Sequence, residues 1–220
     1  MFSASVVSMI INGVWETIYM TLLSTFLAYV LGLPLGVALF VTGESRHFLL
    51  RCLNKALGFV TNLLRSIPFL ILLIAILPFT RSIVGTTIGS KATVVPLVIA
   101  AAPFIARLVE SSLQEVDRGI IEAAESMGST QWTIIYKVLL PEARPSLVTG
   151  AAIAVTTILG YSAMAGIVGG GGLGAIAINY GYYRYQNDIM LVTVILLVII
   201  VQIFQEVGMR LARKSDKRLK

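Results

Sequence analysis

The sequence predicts an all-α, polytopic membrane protein with five transmembrane helices, its N-terminus outside and its C-terminus cytoplasmic. Three observations carry that prediction. Hydrophobic residues make up 57% of the 220 residues and charged residues only 13%, where a soluble domain carries about 25% charged residues. The mean hydropathy is +0.88, more apolar character than a soluble fold of this length can hide. Five stretches are long enough to cross a bilayer core of about 30 Å, which takes about 20 residues of apolar helix.

The elements follow in chain order. Phe2 to Trp15 is apolar and uncharged but punctuated by Ser and Asn. It is too short and polar for a span of its own and reads as an interfacial helix on the outer face, with Trp15 and Tyr19 at headgroup depth. The first span covers about 17–41 and has no charge after Glu16. Gly32 and Gly36 lie four apart within it, a spacing that lets helices approach closely as routine packing. The second span, about 56–80, is charged only at Arg65. In a straight helix ending at Thr80, Arg65 lies about 22 Å from the outer end. From there its long side chain reaches the inner boundary. Two roles stay open for it: a charge facing the pathway or a neighbouring helix, and a positional anchor.

The third span, about 92–109, is charged only at Arg107 near its end. Pro68 in the second span and Pro96 and Pro103 in the third each remove a backbone hydrogen bond and permit a bend. The fourth span, about 146–168, has no charge, and the fifth, about 189–209, is charged only at Glu206. No signal-peptide pattern opens the chain, since the first basic residue is Arg46. The first helix is expected to insert itself.

Charge sets the direction. With the C-terminus cytoplasmic, the inner loops and tail hold 13 of the 17 Lys and Arg residues, and only Arg81, Lys91 and Arg184 lie outside. The opposite orientation would reverse a strong positive-inside bias. The tail concentrates Arg210, Arg213, Lys214, Lys217, Arg218 and Lys220 against Asp216. Directly after an apolar helix, such a tail contacts anionic lipid headgroups and not nucleic acid.

The inner loop at 110–144 is different in kind. Ile120, Ile121, Ala124 and Met127 recur at helical spacing among acidic residues. Two short helices are expected, about Gly119 to Met127 and about Gln131 to Leu140. Gly128 fits a left-handed C-terminal cap, Ser129 or Thr130 fits the next N-cap, and Pro141 is expected to end the second helix.

Within this loop, Glu122-Ala123-Ala124, three residues, Gly128, nine residues and Val138-Leu139-Leu140-Pro141 resemble the loop signature of ATP-binding-cassette importer permeases. The family pattern is EAA, three residues, G, nine residues, I-x-L-P, and Val138 here replaces the Ile. The resemblance implies that Glu122, Ala123, Ala124, Gly128, Leu140 and Pro141 belong to a surface docked in a groove on a cytoplasmic ATPase subunit. A short rigid helix joined to two spans can convert the movement of such a partner into rotation of those spans. Glu122 and Glu125 would meet basic groups on it.

Arg65-Ser66-Ile67-Pro68-Phe69, Ala102-Pro103-Phe104-Ile105-Ala106-Arg107, Gly160-Tyr161-Ser162-Ala163-Met164 and Gly171-Gly172-Leu173-Gly174 resemble the methionine-importer permease family over nearly the whole chain. That resemblance implies a permease subunit in the bacterial inner membrane that imports methionine, or a similar small amino acid or solute, by alternating access. It implies two ATPase subunits below, which bind the ATP, and an extracytoplasmic solute-binding lipoprotein above. It places Tyr161, Ser162 and Met164 near the pathway and its outer gate, with Arg65 and Pro68 as further pathway candidates. Helix packing is the competing role for Met164. Five helices are few to enclose an amino-acid pathway, so a two-fold homodimer is expected.

Several chemistries are excluded. Gly85 to Lys91 reads GTTIGSK and misses the spacing of a P-loop, so this chain is not expected to hydrolyse ATP or to hold a cofactor. Cys52 has no intrachain partner, and with His47 it falls short of the about four ligands a zinc site needs. Metal binding is therefore not expected. The lone His47 also removes any Ser-His-Asp hydrolase. Gly169, Gly171 and Gly174 match G-x-G-x-x-G, but no strand precedes them as a dinucleotide site requires. They are expected to form a flexible or re-entrant turn at the outer mouth. A secondary transporter driven by an ion gradient would need intramembrane acids, whereas Glu16, Glu110 and Glu206 are all expected near helix ends.

Overall fold

The computed structural model describes residues 3–45 and 47–215, and they form an all-helical bundle. Arg46 and the tail residues Lys217, Arg218 and Lys220 of the lipid-contact expectation lie outside the described residues, as does Phe2. Among the described residues, four helices are long and apolar enough to cross a membrane, or five if one bent pair counts as a span.

Helix α1 runs from Ala4 to Glu44 without a break, 41 residues. The expected separate interfacial helix is therefore the first third of α1. At 1.5 Å per residue α1 is about 61 Å long, roughly twice the hydrocarbon core. Tertiary packing explains the continuity: Ile10 and Gly13 are buried there, and Ile10 joins a core cluster with Leu159, Leu173, Ile176 and Ile189. The hydropathy dip at Ser and Asn does not register this, because Ser5, Ser8 and Asn12 lie on the exposed side while Ile10 and Gly13 carry the packing. Pro34 also lies within α1 and does not interrupt it.

The second span is not one helix. Helix α2 (Phe48–Ser66) and helix α3 (Phe69–Ala75) meet at a bend of 100°. Pro68 stands at the break with extended backbone, φ −56° and ψ 133°, and the residue before a proline is itself pushed out of the helical region. Helix α4 (Leu77–Val84) follows α3 directly. The depth of Arg65 therefore cannot be counted along one straight helix to Thr80.

Helix α5 (Ser90–Gln114) passes through Pro96 and Pro103 unbroken and extends five residues beyond the expected span. Its seam with α1 is built on missing side chains. A Cβ on Gly32 would lie 2.8 Å from the carbonyl oxygen of Ala102, and one on Gly36 would lie 2.5 Å from that of Ala106. Only glycine permits that backbone approach, so the packing role expected for this pair holds. Helix α9 (Arg144–Ala165) and helix α11 (Asn187–Ser215) complete the long elements. Leu191, Val194, Ile195, Val198 and Ile199 are all exposed along α11, an apolar face suited to lipid and not to water. A single core cluster joins α1, α3, α5 and α9 to the 118–142 region through Leu113, Val116, Ala124, Ile134 and Leu139.

Candidate functional site

Two regions hold the residues singled out from the sequence. The first is the elbow between α5 and α9. Asp117 caps helix α6 (Arg118–Ser126), its carboxylate accepting from the Gly119 N–H at 2.7 Å. Past Met127 the chain turns on Gly128 at φ +77°. Its N–H donates to Glu125 O at 2.8 Å, and the Ser129 N–H donates to Ala124 O at 3.1 Å. This satisfies the last carbonyls of α6 in the manner of a glycine-based helix stop. A Cβ at Gly128 would meet nothing of this chain within 4 Å, so within the chain its role is one of backbone conformation. Of the two N-cap candidates, Thr130 is the cap of helix α7 (Gln131–Ile134), its hydroxyl accepting from the Thr133 N–H at 3.4 Å.

The second half of the elbow departs from expectation at Pro141. A π turn at Ile135–Leu139 leads into helix α8 (Leu140–Glu142), with Pro141 inside it. The Leu140 N–H donates to Ile135 O, five residues back, and the Ala143 N–H donates to Leu139 O at 2.9 Å. The wider turn accommodates the ring and the missing donor that would end a regular α-helix.

The elbow has an inside and an outside. Ala124, 3% exposed, packs in one cluster with Ile134, Ile135 and Leu139. Its side chain therefore joins the two halves and is not on the surface. Glu122, Ala123, Glu125, Gly128 and Pro141 are exposed, and Leu140 is half-buried. Beside them stand three large apolar side chains, Met127, Trp132 and Tyr136, at 79%, 73% and 71% exposure. One exposed ion pair, Arg118 to Glu44 at 3.1 Å, links the elbow to the end of α1. Such a pair contributes about 0–1 kcal/mol, so the buried cluster is what holds the shape.

The second region joins the break at Pro68 to the end of α9. Phe69 stacks on Tyr161 with ring centroids 4.5 Å apart and planes 5° apart. The pathway candidates differ in exposure within the single chain. Arg65 and Pro68 are exposed, Tyr161 is half-buried under Phe69, Ser162 is buried, and Met164 is 52% exposed. The Ser162 hydroxyl donates to Leu159 O at 2.7 Å, a bond within its own helix.

Beyond α9 the glycine segment turns back and is tied to its neighbours by hydrogen bonds. The Gly89 N–H donates to Gly169 O at 2.9 Å, and the Thr93 hydroxyl donates to Gly170 O at 2.9 Å. Helix α10 (Gly172–Ile176) then packs back on α9, with Gly174 against the backbone of Ala163. Glu16 accepts from the Gly172 N–H at 2.7 Å, and the Thr17 hydroxyl accepts from the Leu173 N–H at 2.9 Å. Glu16 thus lies well inside α1, not near a helix end. Every one of these bonds satisfies backbone that lipid could not.

A profile of the family described as binding-protein-dependent transport system inner membrane component matches residues 2–220. The chain belongs to this family. It is 50% identical over 210 residues to a probable D-methionine transport system permease protein MetI of Vibrio cholerae serotype O1, covering 96% of this chain and 93% of that one. It is 51% identical over 158 residues to the D-methionine transport system permease protein MetI of Escherichia coli K12, covering 72% and 73%. Among solved structures, a chain from an inward-facing conformation of the MetNI methionine ABC transporter matches with a TM-score of 0.95 at 47% identity, covering 98% of this chain and all of that one. A chain of an amino acid ABC transporter solved with histidines matches with a TM-score of 0.74 at 21% identity, covering 94% of each. That likeness shows the fold alone.

As an inner membrane component of this family, the chain resides in the bacterial inner membrane. Its polar staples Glu16, Thr17 and Thr93 escaped the sequence analysis, because their partners are backbone groups about 80 or more residues away (Glu16 and Gly172, for example). Trp132 and Tyr136 could have been found. Their spacing of four places both on one side of a helix, opposite Ile134.

Proposed function

We propose that this chain is the membrane-spanning permease subunit of an ATP-driven importer for methionine. One observation carries the reading: 50% identity across 96% of the chain to a relative named for D-methionine transport. In this reading the C-terminus and the elbow face the cytoplasm, and two copies of the chain form the pathway. Two ATPase subunits bind and hydrolyse the ATP, and an extracytoplasmic solute-binding lipoprotein delivers the substrate. The basic residues of the tail contact anionic lipid.

The elbow is suited to being a docking lever. Its two halves are capped at Asp117, Gly128 and Thr130, which keeps them rigid. Its outer side carries Glu122, Ala123 and Glu125 beside Met127, Trp132 and Tyr136. Exposed aromatic and Met side chains are the usual anchors of a protein interface, and the acids give it electrostatic register. ATPase closure would push both elbows and, through α5 and α9, open the cavity to the other side. Pro68, Phe69 and Tyr161 would then form the flexible part of the wall.

The test is uptake of labelled methionine by vesicles that contain the chain with its ATPase, binding protein and internal ATP. Uptake that needs ATP and saturates with methionine is the expected result. Uptake driven by a proton gradient without any ATPase, or transport of other solutes but not methionine, would refute it.

A further inference from the structure

Helix α2 is held to the bundle by very little apolar packing. Of its 19 residues only Thr61 is buried. Two polar anchors fix it instead. Near its start, the Asn54 amide donates to Leu39 O at 2.7 Å and to the Thr42 hydroxyl at 3.0 Å, both on α1. Near its end, Arg107 of α5 reaches across. Its Nη2 donates to Gly58 O at 3.2 Å and to Asn62 Oδ1 at 3.1 Å. Its Nη1 donates to Glu110 Oε2 at 2.6 Å.

The arrangement is specific to a guanidinium. Gly58 and Asn62 are four apart, on one face of α2. A Cβ at Gly58 would stand 3.2 Å from Nη2, so the glycine uncovers the carbonyl that Arg107 uses. Glu110, one turn along α5, orients the same group from the other side. The flanking Ile105, Ala106 and Val109 are buried, so α5 itself does not yield around the arginine. A planar fork puts its donors on separate nitrogens, Nη1 toward Glu110 and Nη2 toward Gly58 and Asn62, a fixed spread that the single nitrogen of a lysine does not reproduce.

We propose that Arg107 is the joint through which movement of the elbow reaches α2 and the break at Pro68. The chain of parts is continuous. The elbow hangs on α5, Arg107 lies seven residues before the end of that helix, and α2 ends four residues beyond Asn62. Past the break, Phe69 bears on Tyr161 of α9. Without the joint, α5 slides past α2 and the wall at Pro68 stays where it is. Arg107 is a positioning residue: its partners are Gly58, Asn62 and Glu110. The inference rests on the docking role proposed for the elbow.

The experiment uses the full complex in liposomes, with ATPase, binding protein and methionine, and reads methionine imported per ATP hydrolysed. Arg107→Gln is expected to assemble and hydrolyse ATP while import per ATP falls about tenfold, the scale of one hydrogen bond to a charged group. Arg107→Lys recovers part of the ratio, because its ammonium still reaches Glu110 or Asn62. Asn62→Ala shifts the ratio in the same direction by less. Asn62 is exposed, so this variant decides the matter should Arg107→Gln fail to accumulate. An unchanged ratio, or hydrolysis and import falling in parallel, overturns the proposal. Gly128→Pro is the control, read as uptake and ATPase capture. If both stay normal, the elbow reading has failed and takes this one with it. If they fall while the Arg107 and Asn62 variants keep the wild-type ratio, only the joint is wrong.

Discussion

Gly128 offers a perturbation whose size can be worked out from backbone geometry alone. Its φ is +77° and a Cβ there would touch nothing. Packing therefore drops out, and substitutions rank by how well each residue tolerates the left-handed region. Asparagine visits it readily, so Gly128→Asn should stay close to wild type. Gly128→Ala costs about 1–2 kcal/mol, and a β-branched Gly128→Val costs more. Gly128→Pro is worst: proline holds φ near −65° and deletes the N–H that bonds Glu125 O at 2.8 Å, a loss of about 3 kcal/mol or more. Each 1.4 kcal/mol lowers the fraction of correctly shaped elbows by up to about tenfold. Methionine uptake should therefore fall in the order Asn, Ala, Val, Pro, and be abolished at Pro, with membrane levels of the chain unchanged. Co-purification of the ATPase should fall in the same order. Normal uptake and normal ATPase capture by Gly128→Pro would refute the reasoning, as would an Asn variant no better than Val.

Two further outcomes follow from the helix contacts. Gly36→Leu puts a side chain where a Cβ already lies 2.5 Å from Ala106 O; it should separate α1 from α5 and lower the melting temperature in detergent, at a cost of about 1–3 kcal/mol or more, whereas Gly85→Ala, in open space at φ +82°, should lower it less. Glu16→Ala leaves the Gly172 N–H without its acceptor at a cost of about 1–3 kcal/mol, while Glu16→Gln keeps an acceptor oxygen; the melting temperature should drop for Ala and largely recover for Gln, and equal behaviour of the two would dismiss the staple.

Much of the elbow was legible because its signals are local. A cap acts over three or four residues. Gly128 and Thr130 therefore mark their helix ends whatever surrounds them. Pro141 misled because the local rule assumes a regular α-helix, and a π turn removes the conflict. The second span misled in the opposite sense. Hydropathy averages over a window and sees 56–80 as one apolar run, but the 100° turn at Pro68 is a matter of two dihedral angles. The first helix was cut short for a related reason: polar residues in 2–15 lower the hydropathy but do not break a helix that packs against α10 through Gly13.

By itself the sequence determined that lipid is the solvent, that the chain is helical and which loop is built as an elbow. Composition, span length and capping chemistry each act within a few turns of helix, so they survive without knowledge of the fold. Only the tertiary structure decided which side of the elbow is buried, that Glu16 and Thr93 staple a glycine turn, and that Arg107 bridges two helices. Those contacts join residues between 45 and 156 positions apart, and nothing along the chain records which distant backbone oxygen or N–H a side chain will meet. Packing alone brings them within hydrogen-bond range.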